Sequence, residues 1–225
     1  AAKHDLKSGD SLYFSGCSAG GRGAMFNLDY VSAIVPEGVH IKGILDAAMW
    51  VEMDPIIPQI SFPKQTHQVL LMANSTGRLG TKCAEHFKAH NEQWKCLYGE
   101  FRAPFVETPY LISASQYDSF QIPWNTGRQP PFTDSELAFI EKFRHKVKRA
   151  MLDLRTKSVV TFSPACYTHC IGETDSFWDK KAADASNISL SLHDVLKAWL
   201  GGSDSAHVID NCHGFSCSCP LPEIQ

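Results

Sequence analysis

Ser11-Leu12-Tyr13-Phe14-Ser15-Gly16-Cys17-Ser18-Ala19-Gly20-Gly21 sets a short apolar and aromatic run directly against a glycine-rich turn. A helical pattern through Ala24, Met25, Leu28 and Val31 follows it. The run reads as a buried strand, so the whole stretch is a strand–turn–helix unit. Within the turn, Gly16-Cys17-Ser18-Ala19-Gly20 fits G-x-S-x-G, in which a serine occupies a sharp strand-to-helix turn. The chain makes that turn only where the residues two positions either side of the serine lack bulk. The turn lifts the Ser18 hydroxyl above the sheet edge and sets a helix N-terminus beneath it. The backbone N–H of Ala19 is then placed to stabilise a developing oxyanion. A bare G-x-S-x-G recurs by chance; the strand before it and the helix after it give this one its weight.

Further strands are expected at 41–46, 109–114 and 158–162, each a short apolar run. Pro55, Pro58 and Pro63 mark a loop or lid, and 68–72 reads equally as helix or strand. Residues 133–154 read as a long helix. Thr133 and Glu136 have capping-box spacing, and Leu137, Ile140, Phe143, Val147, Met151 and Leu154 form one stripe. Lys142, Arg144, Lys146, Lys148 and Arg149 lie off that stripe and are expected on a solvated face. A last helix over 190–200 stops at Gly201-Gly202. Strands alternating with helices predict a single α/β domain over 1–225, with a mainly parallel sheet and flanking helices.

The 225 residues carry 21 Lys+Arg against 24 Asp+Glu, a net charge of −3. Such a balance argues against a nucleic-acid binder held by a large cationic surface. No uncharged apolar run approaches the roughly 18–20 residues that span a bilayer. Eight cysteines do not fit a routine cytosolic enzyme. With the sequons at Asn74 and Asn187 they point to a secreted, disulfide-bonded glycoprotein, in the extracellular space or cell wall. The chain opens with Ala1-Ala2-Lys3-His4-Asp5, so any secretory leader is expected to precede it. A zinc-bound tail built from Cys212, Cys217, Cys219, His207 and His213 is a third reading, with irregular ligand spacing.

A serine nucleophile needs a base and an acid that orients it, and this architecture supplies them in the order Ser, Asp/Glu, His. Asp118 lies four residues past the 110–114 strand; Asp46, at a strand end, and Asp134, at a helix start, compete with it. His169 follows the 158–162 strand between Cys166 and Cys170, while His193, His207 and His213 also fall downstream. Position and order favour Ser18, Asp118 and His169. The reaction so implied is two-step acyl transfer, and it calls for no metal or cofactor.

Gly16-Cys17-Ser18-Ala19-Gly20-Gly21, Tyr117-Asp118-Ser119-Phe120-Gln121-Ile122 and Ser163-Pro164-Ala165-Cys166-Tyr167-Thr168-His169-Cys170 resemble the three catalytic blocks of the pectin acetylesterase/Notum family. The resemblance extends to Cys83 and Cys96 and to the closing Asp210-Asn211-Cys212, Cys217 and Cys219-Pro220. It implies a secreted serine carboxylesterase of α/β-hydrolase fold, with Ser18 as nucleophile, His169 as base and Asp118 as orienter. Cys17 and the Tyr-Asp-x-aromatic-Gln-Ile block are similar to plant members, which deacetylate pectin. The Pro-Ala-Cys-x-x-His pattern is similar to Notum members, which remove a fatty acyl group from a secreted protein. Deacetylation of a polysaccharide is the expected reaction, and a fatty-acylated protein the alternative substrate. Ile56, Ile57, Ile60 and Phe62 either line an apolar pocket or pack on the core.

Disulfides are expected between Cys83 and Cys96, closing a local loop, and between Cys166 and Cys212, tying the histidine loop to the tail. Cys17 is expected as a small packed residue. The elbow stands at residue 18, whereas the fold places several strands ahead of it, and no glycine-rich loop for a second oxyanion donor is present. The chain is therefore expected to be the C-terminal part of a longer protein, with an N-terminal fragment as a partner. The same gap supports a different class of function, an inert hydrolase-like binding protein; the intact Ser, Asp, His order counts against it.

Overall fold

The structure, a computed structural model, describes residues 6–57, 61–155, 158–184, 188–203 and 206–219. Pro58, Ile60, Asn187 and Pro220, which enter the readings above, lie outside the described residues. Strand β1 (Ser11–Cys17) runs through the glycine turn into α1 (Ala19–Ile34), and β2 (His40–Asp46) pairs parallel with β1. A mostly helical excursion follows, with α2 (Phe62–Met72), α3 (Thr81–Lys88) and the short α4 (Gly99–Arg102). The chain then returns through β3 (Tyr110–Ser113), β4 (Tyr117–Asp118), α5 (Gln121–Thr126) and the long α6 (Asp134–Asp153). Next come β5 (Val159–Ser163), β6 (Tyr167–Thr168) and α7 (Ser176–Asp179). The hairpin β7 (Lys181–Ala183) and β8 (Ser189–Ser191), then α8 (Leu192–Leu200) and β9 (Val208–Ile209), complete it.

The main sheet has the order β1-β2-β3-β5-β9, with every pairing parallel. A parallel sheet must be covered on both faces, and the pleat divides the work. Tyr110, Ile112 and Val159 pack with Met25 and Leu28 of α1 and with Ile140, Phe143, Val147 and Met151 of α6. Leu111, Val160 and Phe162 turn to the other face and pack with Leu192, Val195 and Trp199 of α8. The chain thus has the expected α/β fold, and all five carboxyl ends of the sheet point one way.

Local chemistry sets the helix ends. Thr133 Oγ1 accepts from Glu136 N at 3.3 Å while Glu136 Oε2 accepts from Thr133 N at 2.7 Å, so α6 starts one residue past its cap. Ser191 and Asp194 make the same reciprocal pair at α8, which moves that helix start to Leu192. Residues 68–72, open between helix and strand, belong to α2, which Ser61 caps and Pro63 enters in its first turn.

One expectation about α6 is corrected. Lys142 and Arg149 are exposed, but Arg144 is 0% exposed. Position 144 borders the apolar stripe, and the C-terminal segment closes over it. Arg144 Nη2 donates to the Cys212 carbonyl, and the guanidinium lies 5.9 Å from the centre of the Tyr117 ring. Replacing Arg144 with Ala removes packed atoms and orphans that carbonyl, an expected loss of about 2–4 kcal/mol. Arg149→Ala should stay within about 0.5 kcal/mol, as surface changes usually do. Urea unfolding of the two variants measures the contrast, and equal losses would refute the buried role.

Candidate active site

Ser18 stands between β1 and α1 with φ 55° and ψ −119°, a region that side-chain-bearing residues rarely enter. Such strain costs of the order of 1–3 kcal/mol and persists only where the surroundings enforce it. Here the Ser18 N–H donates to the Asp46 carbonyl at 2.9 Å, and the Ser18 carbonyl accepts from Arg22 N at 2.9 Å. A Cβ on Gly16 would overlap the Gly20 backbone. One on Gly21 would fall 2.5 Å from the Asp46 carbonyl oxygen, whereas one on Gly20 would meet nothing within 4 Å. The second position of the turn that excludes a Cβ is therefore Gly21, not Gly20 as the motif's spacing suggests. Ala19 opens α1, which has no capping side chain and no acidic residue in its first turn. Its N–H has no intrahelical acceptor and stands at the positive end of a 16-residue helix.

Asp118 ends β4 and His169 directly follows β6, two short paired strands past the carboxyl ends of β3 and β5. Asp118 is 2% exposed. Its Oδ1 accepts from Phe120 N at 3.0 Å and Gln121 N at 2.7 Å, and its Oδ2 lies 2.7 Å from His169 Nδ1. Both carboxylate oxygens are thus fixed, and the ring is held edge-on to one of them. Phe120 stacks on the imidazole with centroids 5.4 Å apart and planes 26° from parallel. His169 Nε2 is buried and makes no hydrogen bond among the described residues, so none joins it to Ser18. Hydrogen bonds of this kind are often loose before substrate arrives. Burial alone would push the imidazole down, but the Asp118 bond and charge, backed by Asp46 and Glu173, outweigh it and raise His169 above the ordinary 6.5.

All eight cysteines are paired, and the pairing departs from expectation. Cys83 is bonded to Cys96, but Cys166 is bonded to Cys219 and Cys212 to Cys217. The tail runs beside the histidine loop as a parallel bridge at Cys166 and Cys219, with Ser218 N donating to Ala165 O, and this register leaves Cys212 to close a small loop. Cys17, expected as a packed thiol, is bonded to Cys170 with Cα atoms 5.6 Å apart. The neighbour of Ser18 is thereby joined to the neighbour of His169. Cys17, His169 and Cys170 bring possible ligand atoms within 4.8 Å, but the two sulfurs are bonded to each other and offer a metal no thiolate. The tail cysteines of the zinc reading are likewise all in disulfides.

Of the competitors, Asp134 stays in the first turn of α6. Asp46 is buried; its Oδ1 accepts from Ser113 Oγ and its Oδ2 from Gly172 N at 2.7 Å. It anchors the histidine loop while its carbonyl holds the elbow. His193 lies against Trp178, His207 lies 3.3 Å from Thr161 Oγ1, and His213 is exposed. Asn74 is exposed in the turn after α2. Beside Ala19 and Phe120 opens a cavity of about 410 Å³, also lined by Arg22, Phe26, Trp50, Phe62, Val69 and Trp124. Trp50 stands 5.3 Å from Phe62 and 5.5 Å from Phe120, and the Arg22 guanidinium lies 3.8 Å over Trp50. Phe62 lines this wall as one expectation had it. Ile57 instead packs toward Gly127, and Trp50 and Trp124, which periodicity does not single out, complete the wall.

Residues 1–219 match the family model described as Pectinacetylesterase. The chain is 24% identical over 243 residues to palmitoleoyl-protein carboxylesterase notum2 of Xenopus laevis, covering 97% of this chain and 48% of that protein. It is 22% identical over 172 residues to pectin acetylesterase 5 of Arabidopsis thaliana, covering 69% of this chain and 39% of that one. The structure of the Wnt deacylase Notum from Drosophila superposes with a TM-score of 0.80 at 22% identity, over 96% of this chain and 60% of that one. The chain spans about half the length of the curated relatives it matches.

Two measurements check the site. Gly21→Ala forces backbone apart and should cost more than about 2 kcal/mol, whereas Gly20→Ala, in open space on a helix, should be neutral or stabilise by up to about 1 kcal/mol. Thermal unfolding would contradict the packing if both behaved alike. An NMR titration of His169 should give a midpoint above 6.5, lowered by Asp118→Asn. Because the folded value is raised, the bond's stabilisation is present below 6.5 and is lost as pH rises through the folded value.

Proposed function

The chain belongs to the pectinacetylesterase family, and from that premise we propose that it is a serine carboxylesterase that removes acetyl groups from a polysaccharide. The observation that carries the reading is the joined site: a strained Ser18 elbow, a His169–Asp118 pair at 2.7 Å, and a disulfide linking the two halves. Ser18 Oγ attacks the ester carbonyl as His169 Nε2 takes its proton. Asp118 holds the ring and stabilises the imidazolium, and the Ala19 N–H steadies the oxyanion. His169 then returns the proton to the departing alcohol. Water attacks the acyl-enzyme with His169 again as base, freeing the acid and Ser18.

An acetyl group needs little space beside Ala19, so the aromatic-walled cavity would hold the sugar that bears it. A second reading rests on the apolar character of that cavity, where Phe26, Phe62, Val69, Leu97 and Trp124 would take a fatty acyl chain from a protein. Four disulfides suit an oxidising, extracellular setting for either.

Hydrolysis of p-nitrophenyl acetate should fall by about 10³-fold or more in Ser18→Ala and about 10²–10⁴-fold in Asp118→Asn. Activity surviving Ser18→Ala would reject the nucleophile. The base must be neutral, so kcat/KM should drop below a pKa above 6.5. Release of acetate from acetylated pectin, set against cleavage of a palmitoleoyl ester, decides between the substrates.

A further inference from the structure

A second cavity, of about 430 Å³, opens beside the C-terminal half of α1, between α3 and α4. Its lining on α1 runs from Phe26 to Tyr30, about 12–18 Å along the helix from Ser18 at 1.5 Å per residue. At its base lies Arg102, 3% exposed. A guanidinium carries five N–H donors, and a buried one is ordinarily saturated. This one is not. Its Nε has no partner, its Nη1 reaches the Phe105 carbonyl only at 3.5 Å, and its Nη2 is 3.6 Å from Asp29 Oδ2. Asp29 is already engaged, its Oδ1 accepting from Glu107 N, Thr108 N and Thr108 Oγ1. Burial consequently pulls the guanidinium below its ordinary value, with Asp29 and Tyr110 opposing.

An independent feature converges on the same place. Gly80 precedes α3 with φ 77°, and its Cβ, had it one, would sit 2.5 Å from Arg102 Cζ. The guanidinium therefore lies flat against the residue that opens the helix. The eight-residue α3 has no capping side chain and no acidic residue in its first turn. The first residues of α3 and Arg102 thus line one cavity, with the exposed Arg78 and Lys82 at its edge. Lys82 pairs with Glu107, but at 63% and 67% exposure that pair is weak and can re-form elsewhere. With Lys82 and Glu107 cancelling, Arg78 and Arg102 against Asp29 leave one positive charge.

We propose that this cavity is an anion site, in which Arg102 and the open N-terminus of α3 hold a carboxylate or sulfate group of a ligand, with Arg78 and Lys82 guarding the entrance. The chemistry is that of oxyanion recognition by a forked guanidinium and helix amides. It does not depend on Ser18 or on the esterase reading.

The test uses the intact, disulfide-bonded chain, with inorganic sulfate and galacturonate titrated by calorimetry at constant ionic strength. Binding should occur, compete between the two if both bind, and weaken about tenfold in the exposed double variant Arg78→Ala/Lys82→Ala. Gly80→Ala, whose methyl displaces the guanidinium, should abolish it. Binding of galacturonate alone sustains the site with a uronate as its source; binding of sulfate alone sustains it with a sulfated or phosphorylated ligand. Failure of both anions to bind, or binding unchanged in the double variant, overturns it. The double variant removes only rim residues, so a folding defect does not obscure the result.

Discussion

The backbone of Ser18 is the constraint on which the rest of the molecule turns. A residue with φ 55° and ψ −119° is disfavoured in any free chain, so the conformation exists because its surroundings leave no alternative. β2 must lie in register beside β1 for the Asp46 carbonyl to take the Ser18 N–H. Helix α1 must approach closely enough that Gly16 and Gly21 touch backbone. The sheet therefore does more than carry the serine, because its packing energy maintains a strained exit that exposes a side chain and a helix N-terminus together.

Three carboxylates lie around His169, and they differ in what they do. Asp118 bonds the ring directly. Asp46 acts on the loop, through Gly172, and contributes its charge at longer range. Burial raises Asp46 while its bonds to Ser113 and Gly172 resist, whereas the Asp118 carboxylate is held in place by two backbone amides. Glu173 adds a weaker field. The ring is thus made more basic by groups that also hold its loop still, and preorganisation and basicity have a common origin.

Much of this was legible in the residues and some was not, for reasons of range. Local signals read well: the strand–turn–helix at Ser18, the capping box at Thr133 and the apolar runs that became β2, β3 and β5 depend on neighbours in sequence. The chain order of Ser18, Asp118 and His169 led to residues that the fold brings to one end of the sheet. The local Cys83–Cys96 pair read as well, but Cys17 and Cys170 did not, because they are 153 residues apart and only the sheet's strand order makes them neighbours. Arg144 misled for a similar reason; the carbonyl that buries it belongs to a tail 68 positions away. Gly20 drew the attention that Gly21 deserved, since a motif records spacing and not which Cβ would collide. Trp50 lies in an irregular stretch where periodicity is silent.

The Cys17–Cys170 bond has a topological consequence. It closes a covalent ring that contains β2, β3 and β5, three of the five strands of the main sheet, so Ser18 and His169 are tied by two routes rather than one. A proteolytic cut anywhere between residues 18 and 169 would leave a two-fragment molecule still held together beside Ser18 and His169. Loops on that ring, including the excursion between β2 and β3, can accordingly be lengthened, cleaved or exchanged without releasing either partner. Variation in that excursion is in this way mechanically uncoupled from the joining of Ser18 to His169.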